Sequence, residues 1–186
     1  LGFKNISYIN GQISTLKSGL VSVVEGMSSD DNYLKRAIII DSNGLNPKII
    51  YEHKQNLVTI PEVYVSHNIN QLLEAKDGSI YFLLEMNYSN MNGGGYVETS
   101  VIKISENAGK YSTETTYLGR QSTFSTSPIS IDNPNVRLNS IGEYEYFLIP
   151  ETDGDIWLVK EERVNGNDGS LEELRSNLIQ MATLDG

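Results

Sequence analysis

The sequence has no cysteine and only two histidines, so it lacks most of the side chains that carry metal or redox chemistry. Without cysteine there is no disulfide and no thiolate metal site. His53 and His67 form no HExxH pair, so zinc would need both of them and a distant carboxylate. We interpret both as surface residues and expect no metal site and no cofactor. No G-x-S-x-G elbow supports a serine hydrolase.

Positive charge is also scarce. The 14 Lys and Arg residues face 24 Asp and Glu residues, which gives a net charge of −10 and a pI near 4.6. Such a chain repels phosphate backbones and anionic membranes, which disfavours nucleic-acid binding. No apolar run approaches the roughly 20 residues of a membrane span. Residue 1 is Leu and not an initiator Met, so we expect that the numbering begins after a processed leader or after a point where a longer chain was cut. The sequence does not identify the cellular compartment, and we favour a secreted or cell-surface location slightly over a cytoplasmic one.

The residue types that are plentiful in the sequence favour short strands joined by turns. Apolar residues make up 39% of the chain, with 16 glycines and 11 tyrosines. The stretch Gln71–Glu85 (QLLEAKDGSIYFLLE) joins two apolar runs at Asp77-Gly78, a dipeptide that favours a tight antiparallel turn. It predicts a β-hairpin.

The same pattern occurs earlier in the chain. With a constant shift of 59, Gln12 falls on Gln71, and the following apolar and glycine positions agree as well. We read Leu1–Ile9 as a strand that ends in a turn at Asn10-Gly11, before this first copy. Strands are predicted at Leu34–Asp41 and Lys48–His53 in the first copy, and at Val97–Ser105 and Lys110–Leu118 in the second.

A third copy has two possible registers. The preferred one aligns Arg137–Ile141 and Tyr144–Ile149 with the first hairpin and takes Asp155–Glu161 as the next strand. The rival places Asp153-Gly154 on Asp77-Gly78. Together these patterns predict one β-repeat domain over residues 1–186, with repeats at about 12–53, 71–118 and 137–176.

The C-terminal segment is ambiguous. Ser170–Glu173 has the form of a capping box, and Leu171, Leu174 and Leu178 share one helical face. These local signals predict a short helix over residues 171–183. The alternative is a strand, since Leu178–Gly186 resembles Leu72–Gly78, and the chain would then stop inside a fourth copy.

Four short strands per period of about 60 residues indicate a blade-like unit. The hairpin QLLEAKDGSIYF resembles the inner hairpins of β-propeller repeats, including those of sensor-type propellers. Ser105–Tyr111 (SENAGKY) resembles a weakened Asp-box of sialidase-like propellers, with Asn107 in place of Asp. The resemblance implies an all-β fold of antiparallel four-stranded repeats.

Three blades fall short of the four to eight of closed propellers. We therefore expect a fragment of a larger propeller, a ring closed by association of chains, or an open stack. An unclosed set would expose two sheet faces, so a partner, self-association or missing chain is expected.

The remaining candidate sites have simple structural interpretations. Gly93-Gly94-Gly95 leads into a predicted strand, so it is read as a hairpin loop and not a phosphate cradle. Asp153–Asp155 and Asn165–Gly169 carry oxygen ligands but complete no EF-hand, and turn chemistry explains both.

The tyrosines and Trp157 suit sugar or protein surfaces as well as strands. No arginine has a motif context (Arg36, Arg120, Arg137, Arg163, Arg175).

These observations support three hypotheses. The first is a non-catalytic binding or scaffold module that presents loops of a propeller-like β domain to a protein or glycan. The second is a fragment of a sialidase-like glycan hydrolase, whose catalytic residues the sequence does not reveal. The third is a structural subunit of a larger assembly. Converging arginines and paired carboxylates would favour the enzyme, and an aromatic pocket without them would favour binding.

Overall fold

In the computed structural model, every regular element among the described residues is a β-strand, which confirms the predicted all-β class but not the predicted C-terminal helix. No described helix has the length and apolar character needed to span a bilayer. The structure describes residues 3–16, 19–28, 33–41, 47–56, 63–90, 95–122, 143–165 and 171–180.

The eleven described strands form three antiparallel sheets, which we call sheets 1, 2 and 3. Sheet 1 has the order β1-β2-β3-β4, with strands Phe3–Leu16, Gly19–Ser28, Tyr33–Asp41 and Lys48–Asn56. Sheet 2 has the order β5-β6-β7-β8, with strands Val63–Glu74, Ile80–Asn90, Gly95–Asn107 and Lys110–Ser122. Sheet 3 has the order β9-β10-β11, with strands Glu143–Pro150, Ile156–Asn165 and Leu171–Gln180. Sheets 1 and 2 therefore contain the four sequential antiparallel strands that the repeat pattern predicted.

The turn predicted at Asp77-Gly78 is confirmed, and local chemistry explains it. The Ala75 N–H donates to the Ser79 carbonyl at 2.8 Å, and the Gly78 N–H donates to the Ala75 carbonyl at 3.1 Å. Gly78 takes φ = +82°, which glycine adopts without the clash of a Cβ. An Asp77 carboxylate oxygen accepts the Ser79 N–H at 2.8 Å, which completes the turn.

Sheet 3 contains a turn of the same form. The Glu151 N–H donates to the Asp155 carbonyl at 2.8 Å, and the Gly154 N–H donates to the Glu151 carbonyl at 3.1 Å. Gly154 takes φ = +95°. This agreement favours the rival register, which aligns Asp153-Gly154 with Asp77-Gly78. The strand expected at residues 137–141 lies outside the described residues.

The turn expected at Asn10-Gly11 is wrong, because β1 continues through this dipeptide. Its pairing with β2 shifts between Asn10 and Ser14, and the pairing of β5 with β6 shifts between Asn70 and Leu73. Each irregularity interrupts the two-residue alternation in the first strand of its sheet. Because of this interruption, the sequence pattern did not predict that the residues before each irregularity belong to the same strand as the residues after it.

The helix expected over residues 171–183 is also wrong. Leu171–Gln180 is strand β11, which pairs with β10 from Asn165↔Leu171 to Trp157↔Gln180. The ladder to β10 satisfies the backbone groups of this segment, and that tertiary pairing outweighs a local helical pattern.

Sheet 2 lies between the other two sheets and packs a different face on each. Toward sheet 1, buried side chains form cluster 1, which joins Val21, Val23, Ile38 and Ile50 to Ile69, Leu72, Ile80, Phe82, Leu84, Ile102 and Ile104. Toward sheet 3, buried side chains form cluster 2, which joins Ala75, Tyr81, Leu83 and Val101 to Leu148, Ile156 and Leu158. On β6, alternate residues point to opposite faces, so Ile80 and Phe82 serve cluster 1 while Tyr81 and Leu83 serve cluster 2.

Two hydrogen bonds also join sheets 2 and 3. A Gln71 amide oxygen accepts the backbone N–H of Leu148 at 2.8 Å. The Lys76 N–H donates to the Gly154 carbonyl at 3.1 Å, so the turns of the two sheets are in direct contact. Gln71 lies at the β5 irregularity with φ = +54°, a conformation that is uncommon for a residue other than glycine.

Candidate functional site

A small cavity lies where β7 and β8 of sheet 2 meet β9 and β10 of sheet 3. Its volume is about 130 Å³. We call it the bulge pocket, and its lining residues are Thr99, Leu118, Gly119, Arg120, Gln121, Tyr146 and Lys160.

An irregularity in β8 forms one wall of the bulge pocket. Thr99 pairs with Gly119 and Ser100 pairs with Tyr117, which leaves Leu118 as an extra residue opposite β7. Gly119 has φ = +147°, a conformation that disfavours other residues. Such a bulge bends its strand and redirects the neighbouring side chains, and here it brings the Leu118-Gly119 backbone to the wall of a cavity.

Tyr146 on β9 closes the pocket from the side of sheet 3. Its hydroxyl donates to the Leu118 carbonyl at 3.3 Å, so it satisfies a backbone acceptor at the bulge. A Cβ added to Gly119 would lie 3.8 Å from the same hydroxyl. Leu118 and Tyr146 also pack against cluster 2, so the pocket wall is continuous with the core between the sheets.

Arg120 lies at the rim, and two neighbours hold its guanidinium. Its Nε and Nη2 donate to one carboxylate oxygen of Glu98 at 3.0 and 2.5 Å. Its Cζ lies 4.1 Å from the ring centroid of Tyr96, a cation–π geometry. The Tyr96 ring in turn stacks on Tyr88 at 4.4 Å between centroids. The hydrogen bond with Glu98 raises the pKa of Arg120, which stays positive.

The pocket therefore combines one aromatic ring with hydrogen-bonding groups of several kinds. Thr99 supplies a hydroxyl and is 7% exposed, while Gln121 supplies an amide. Arg120 and Lys160 supply positive charge, and the described lining residues include no carboxylate. Such a set can bind a small polar group through hydrogen bonds and ring contact. These described residues include no pair of carboxylates for acid–base chemistry.

The residues singled out from sequence lie mostly away from this pocket. His53 and His67 are on β4 and β5, in different sheets. Among the described residues no group of three or more metal-ligating side chains comes together. Asp153–Asp155 form the turn of sheet 3, as turn chemistry predicted. Gly95 begins β7, while Gly93, Gly94 and 166–169 lie outside the described residues.

The arginines are placed on all three sheets. Arg36 is on β3, Arg120 on β8, Arg163 on β10 and Arg175 on β11, while Arg137 lies outside the described residues. Only Arg120 of these four lines the bulge pocket. The Asp-box-like segment forms the hairpin of β7 and β8, with Ala108 and Gly109 both at positive φ.

Sequence reasoning missed the bulge pocket. One local signal was present, since Leu118-Gly119 interrupts a strand pattern with a glycine, which often marks a bulge. Nothing in the sequence indicates that Tyr146 and Lys160, which follow much later, complete the wall. Comparisons with protein-family models, curated proteins and solved structures give no match to this chain.

Proposed function

We propose that this protein is a non-catalytic binding module that holds part of a glycan in the bulge pocket. The observation that carries this proposal is the composition of the pocket wall. Tyr146 brings an aromatic ring beside hydroxyl, amide and cationic groups from two sheets. Sugars present both apolar ring faces and many hydroxyls, which such a mixed wall complements.

The size of the pocket limits what it holds. Its volume of about 130 Å³ is close to the ~150 Å³ of a cavity that accepts one benzene-sized ring. It is well below the roughly 300–1,000 Å³ of sites for larger ligands. One terminal sugar residue would enter in part, and the rest of the glycan would lie along the exposed face of β8.

The positive rim favours a glycan that carries a carboxylate. The chain has a net charge of −10, yet both charged lining residues, Arg120 and Lys160, are cationic. Glu98 holds Arg120 in place, which reduces the ordering needed on binding and also offsets part of its charge. We therefore expect modest affinity, on the order of millimolar for a single sugar.

The glycan hydrolase hypothesis remains an untested prediction. It requires two carboxylates at the reacting bond, spaced roughly 5–9.5 Å apart. Among the residues that the structure describes, the pocket lining supplies none, and Glu98 beside it is engaged by Arg120. We therefore do not extend the proposal to catalysis.

A titration by saturation-transfer NMR tests the proposal. Acidic and neutral mono- and oligosaccharides are titrated into the wild-type chain and into Arg120→Gln and Gln121→Ala. We expect acidic sugars to bind best, with affinity at least fivefold weaker in both variants. Tyr117→Ser is the matched control, because Tyr117 lies on the same strand, is 57% exposed and does not line the pocket.

Two results would contradict the proposal. One is the absence of saturation transfer to any sugar at millimolar concentration. The other is binding that both lining variants leave unchanged, which would place the sugar elsewhere. Release of shorter sugars during the titration would instead favour the hydrolase.

A further inference from the structure

Strand β8 forms one edge of sheet 2, and no described strand pairs with its outer side. Every residue from Ser112 to Tyr117 is exposed, although the strand belongs to the central sheet of the three. We call residues 112–117 the open edge. Before it, Tyr111 packs against cluster 1, and after it, the bulge at Leu118 ends the regular ladder. The open edge is therefore a regular strand segment that the described residues leave uncovered.

The ladder between β7 and β8 shows which backbone groups of the open edge point outward. A two-residue turn joins Asn107 to Lys110, so this pair is hydrogen-bonded, and hydrogen-bonded and non-bonded pairs alternate along the hairpin. The register has no shift between this turn and the bulge. Thr113, Thr115 and Tyr117 consequently direct both the N–H and the carbonyl away from β7, as pairing with a further strand requires.

The open edge lacks the features that keep other sheet edges from pairing. Exposed edges are usually protected by proline, lysine or a bulge. The edge strands β1 and β5 each contain an irregularity, and the edge strand β9 ends in Pro150. The open edge has none of these features, and three of its residues are threonines, which favour strands. It can therefore accept an added strand.

Charge indicates which strand the open edge accepts. Glu114 is its one charged residue. Two copies paired antiparallel over the open edge would bring Glu114 opposite or diagonal to its equivalent, and like charges there disfavour pairing. Lys103, the partner of Glu114 on β7, lies on the inner side, with its ammonium 5.7 Å from the Tyr81 ring centroid. A cationic residue on the outer side complements Glu114, and the net charge of −10 attracts a basic segment.

We propose that the open edge binds an extended peptide segment of another protein as an added antiparallel strand, with a lysine or arginine of that segment opposite Glu114. Backbone hydrogen bonds to Thr113, Thr115 and Tyr117 supply the affinity, and the side chains of the added strand supply the specificity. β-Branched residues suit the positions opposite the two threonines. The proposal does not rest on glycan binding, because it needs no residue of the bulge pocket.

Amide hydrogen exchange of the free chain tests whether the edge is open. The N–H groups of Ser112, Glu114 and Thr116 bond to β7, so we expect slow exchange there. The N–H groups of Thr113 and Thr115 face outward and should exchange at least tenfold faster. Equal protection of all these N–H groups would show that another segment already covers the edge, and would overturn the proposal.

Fluorescence polarisation with a designed peptide tests binding. The probe is a labelled seven-residue peptide of threonines, with valine at its third and fifth residues and lysine at its centre. We expect a Kd on the order of 100 micromolar, and bound peptide should slow exchange at Thr113 and Thr115. The same peptide with glutamate at its centre should bind at least tenfold more weakly. Absence of binding at millimolar concentration, or equal affinity for both peptides, would overturn the proposal.

Substitutions in the open edge separate the effect of charge from that of the backbone. Glu114→Lys should reverse the preference, so that the glutamate peptide binds at least tenfold better than the lysine peptide. Glu106→Lys is the matched control, because Glu106 is also exposed but lies outside the open edge, and it should leave the preference unchanged. Thr115→Pro removes an outward N–H and should weaken both peptides at least fivefold, whereas Thr115→Val keeps that N–H and should bind as wild type does.

Circular dichroism of each variant checks that the β-structure is retained. If Thr115→Pro loses it, the reversal in Glu114→Lys decides the proposal, because that change leaves the backbone groups intact. A preference that Glu114→Lys does not alter would place the peptide elsewhere and refute the proposal. A wild-type mass of twice 20.7 kDa by light scattering, reduced to one chain by Thr115→Pro, would identify a second copy as the occupant instead.

Discussion

The backbone of Lys76 lies directly against Gly154 of the neighbouring sheet. The Lys76 N–H donates to the Gly154 carbonyl at 3.1 Å, and a Cβ added to Gly154 would lie 2.8 Å from the Lys76 Cβ. Two turns of the same form thus meet at equivalent ends of consecutive hairpins. The contact needs glycine at residue 154 for space as well as for its backbone conformation.

This contact separates the effects of two otherwise similar substitutions. Gly78→Ala and Gly154→Ala both place a Cβ at positive φ, at +82° and +95°, which costs roughly 1–2 kcal/mol. Only Gly154→Ala also meets the Lys76 backbone, whereas Gly78 has open space around it. We expect the free energy of unfolding to fall by roughly 1–2 kcal/mol more for Gly154→Ala. Urea denaturation of both variants measures the difference, and equal losses would show that the turns do not touch.

The amide of Gln71 should stabilise the interface of sheets 2 and 3. Gln71→Ala leaves the Leu148 N–H without its acceptor, which should cost roughly 1–2 kcal/mol of unfolding free energy. Gln71→Gly should cost less, because glycine relaxes the backbone at φ = +54°. Gln71→Glu retains an acceptor oxygen and serves as the control. Hydrogen exchange at the Leu148 N–H should be faster in Gln71→Ala and Gln71→Gly and stay slow in Gln71→Glu. The same exchange rate in all three variants would contradict the role of Gln71 as the acceptor for this N–H.

Ala108 is poorly suited to its turn. It has φ = +51° beside Gly109 at +79°, the two positive angles of a type I′ hairpin turn. Asn and Gly tolerate this conformation better than Ala, so Ala108→Asn and Ala108→Gly should raise the free energy of unfolding by roughly 0.5–1 kcal/mol. Ala108→Val should lower it, since β-branching worsens the clash. Thermal unfolding measures all three, and the opposite order would contradict the turn geometry.

Burial of Tyr51 makes stability fall at alkaline pH. Desolvation raises its pKa from 10.0 to about 12, beside Phe82 at 4.9 Å between ring centroids. Between these values the unfolded chain loses the phenol proton first, so the stabilisation is complete below pH 10 and is lost as pH rises toward 12. The loss is roughly 1–2 kcal/mol, because partial exposure of the phenol reduces the full value.

Denaturation at pH 9 and pH 11 measures this effect. Tyr51→Phe keeps the ring and removes the titrating proton, so its stability should fall less over the same interval. Tyr117→Phe is the control for loss of a tyrosine hydroxyl, because Tyr117 is 57% exposed and lies on β8, away from Tyr51 on β4. Identical pH profiles for wild type and Tyr51→Phe would rule out the role of Tyr51.

Local chemistry explains the features that sequence patterns predicted well. Asp77-Gly78 forms its turn from a carboxylate, a glycine and nearby backbone groups, all within a few residues. The strands of sheets 1 and 2 follow their apolar alternation, except where bulges break it. The error at Leu171–Gln180 arose because a leucine pattern suited to a helix also suits a strand once β10 offers a ladder.

The amino-acid sequence by itself determined the β-class of the fold, the turns at Asp77-Gly78 and Asp153-Gly154, and the order of strands within sheets 1 and 2. These follow from backbone preference and from contacts between near neighbours in the chain. Only the tertiary structure decided which face of each sheet is covered, where Gln71 meets Leu148, and that Tyr146 closes a pocket on Leu118. Those contacts join residues 77 and 28 positions apart, and their geometry depends on how whole sheets pack.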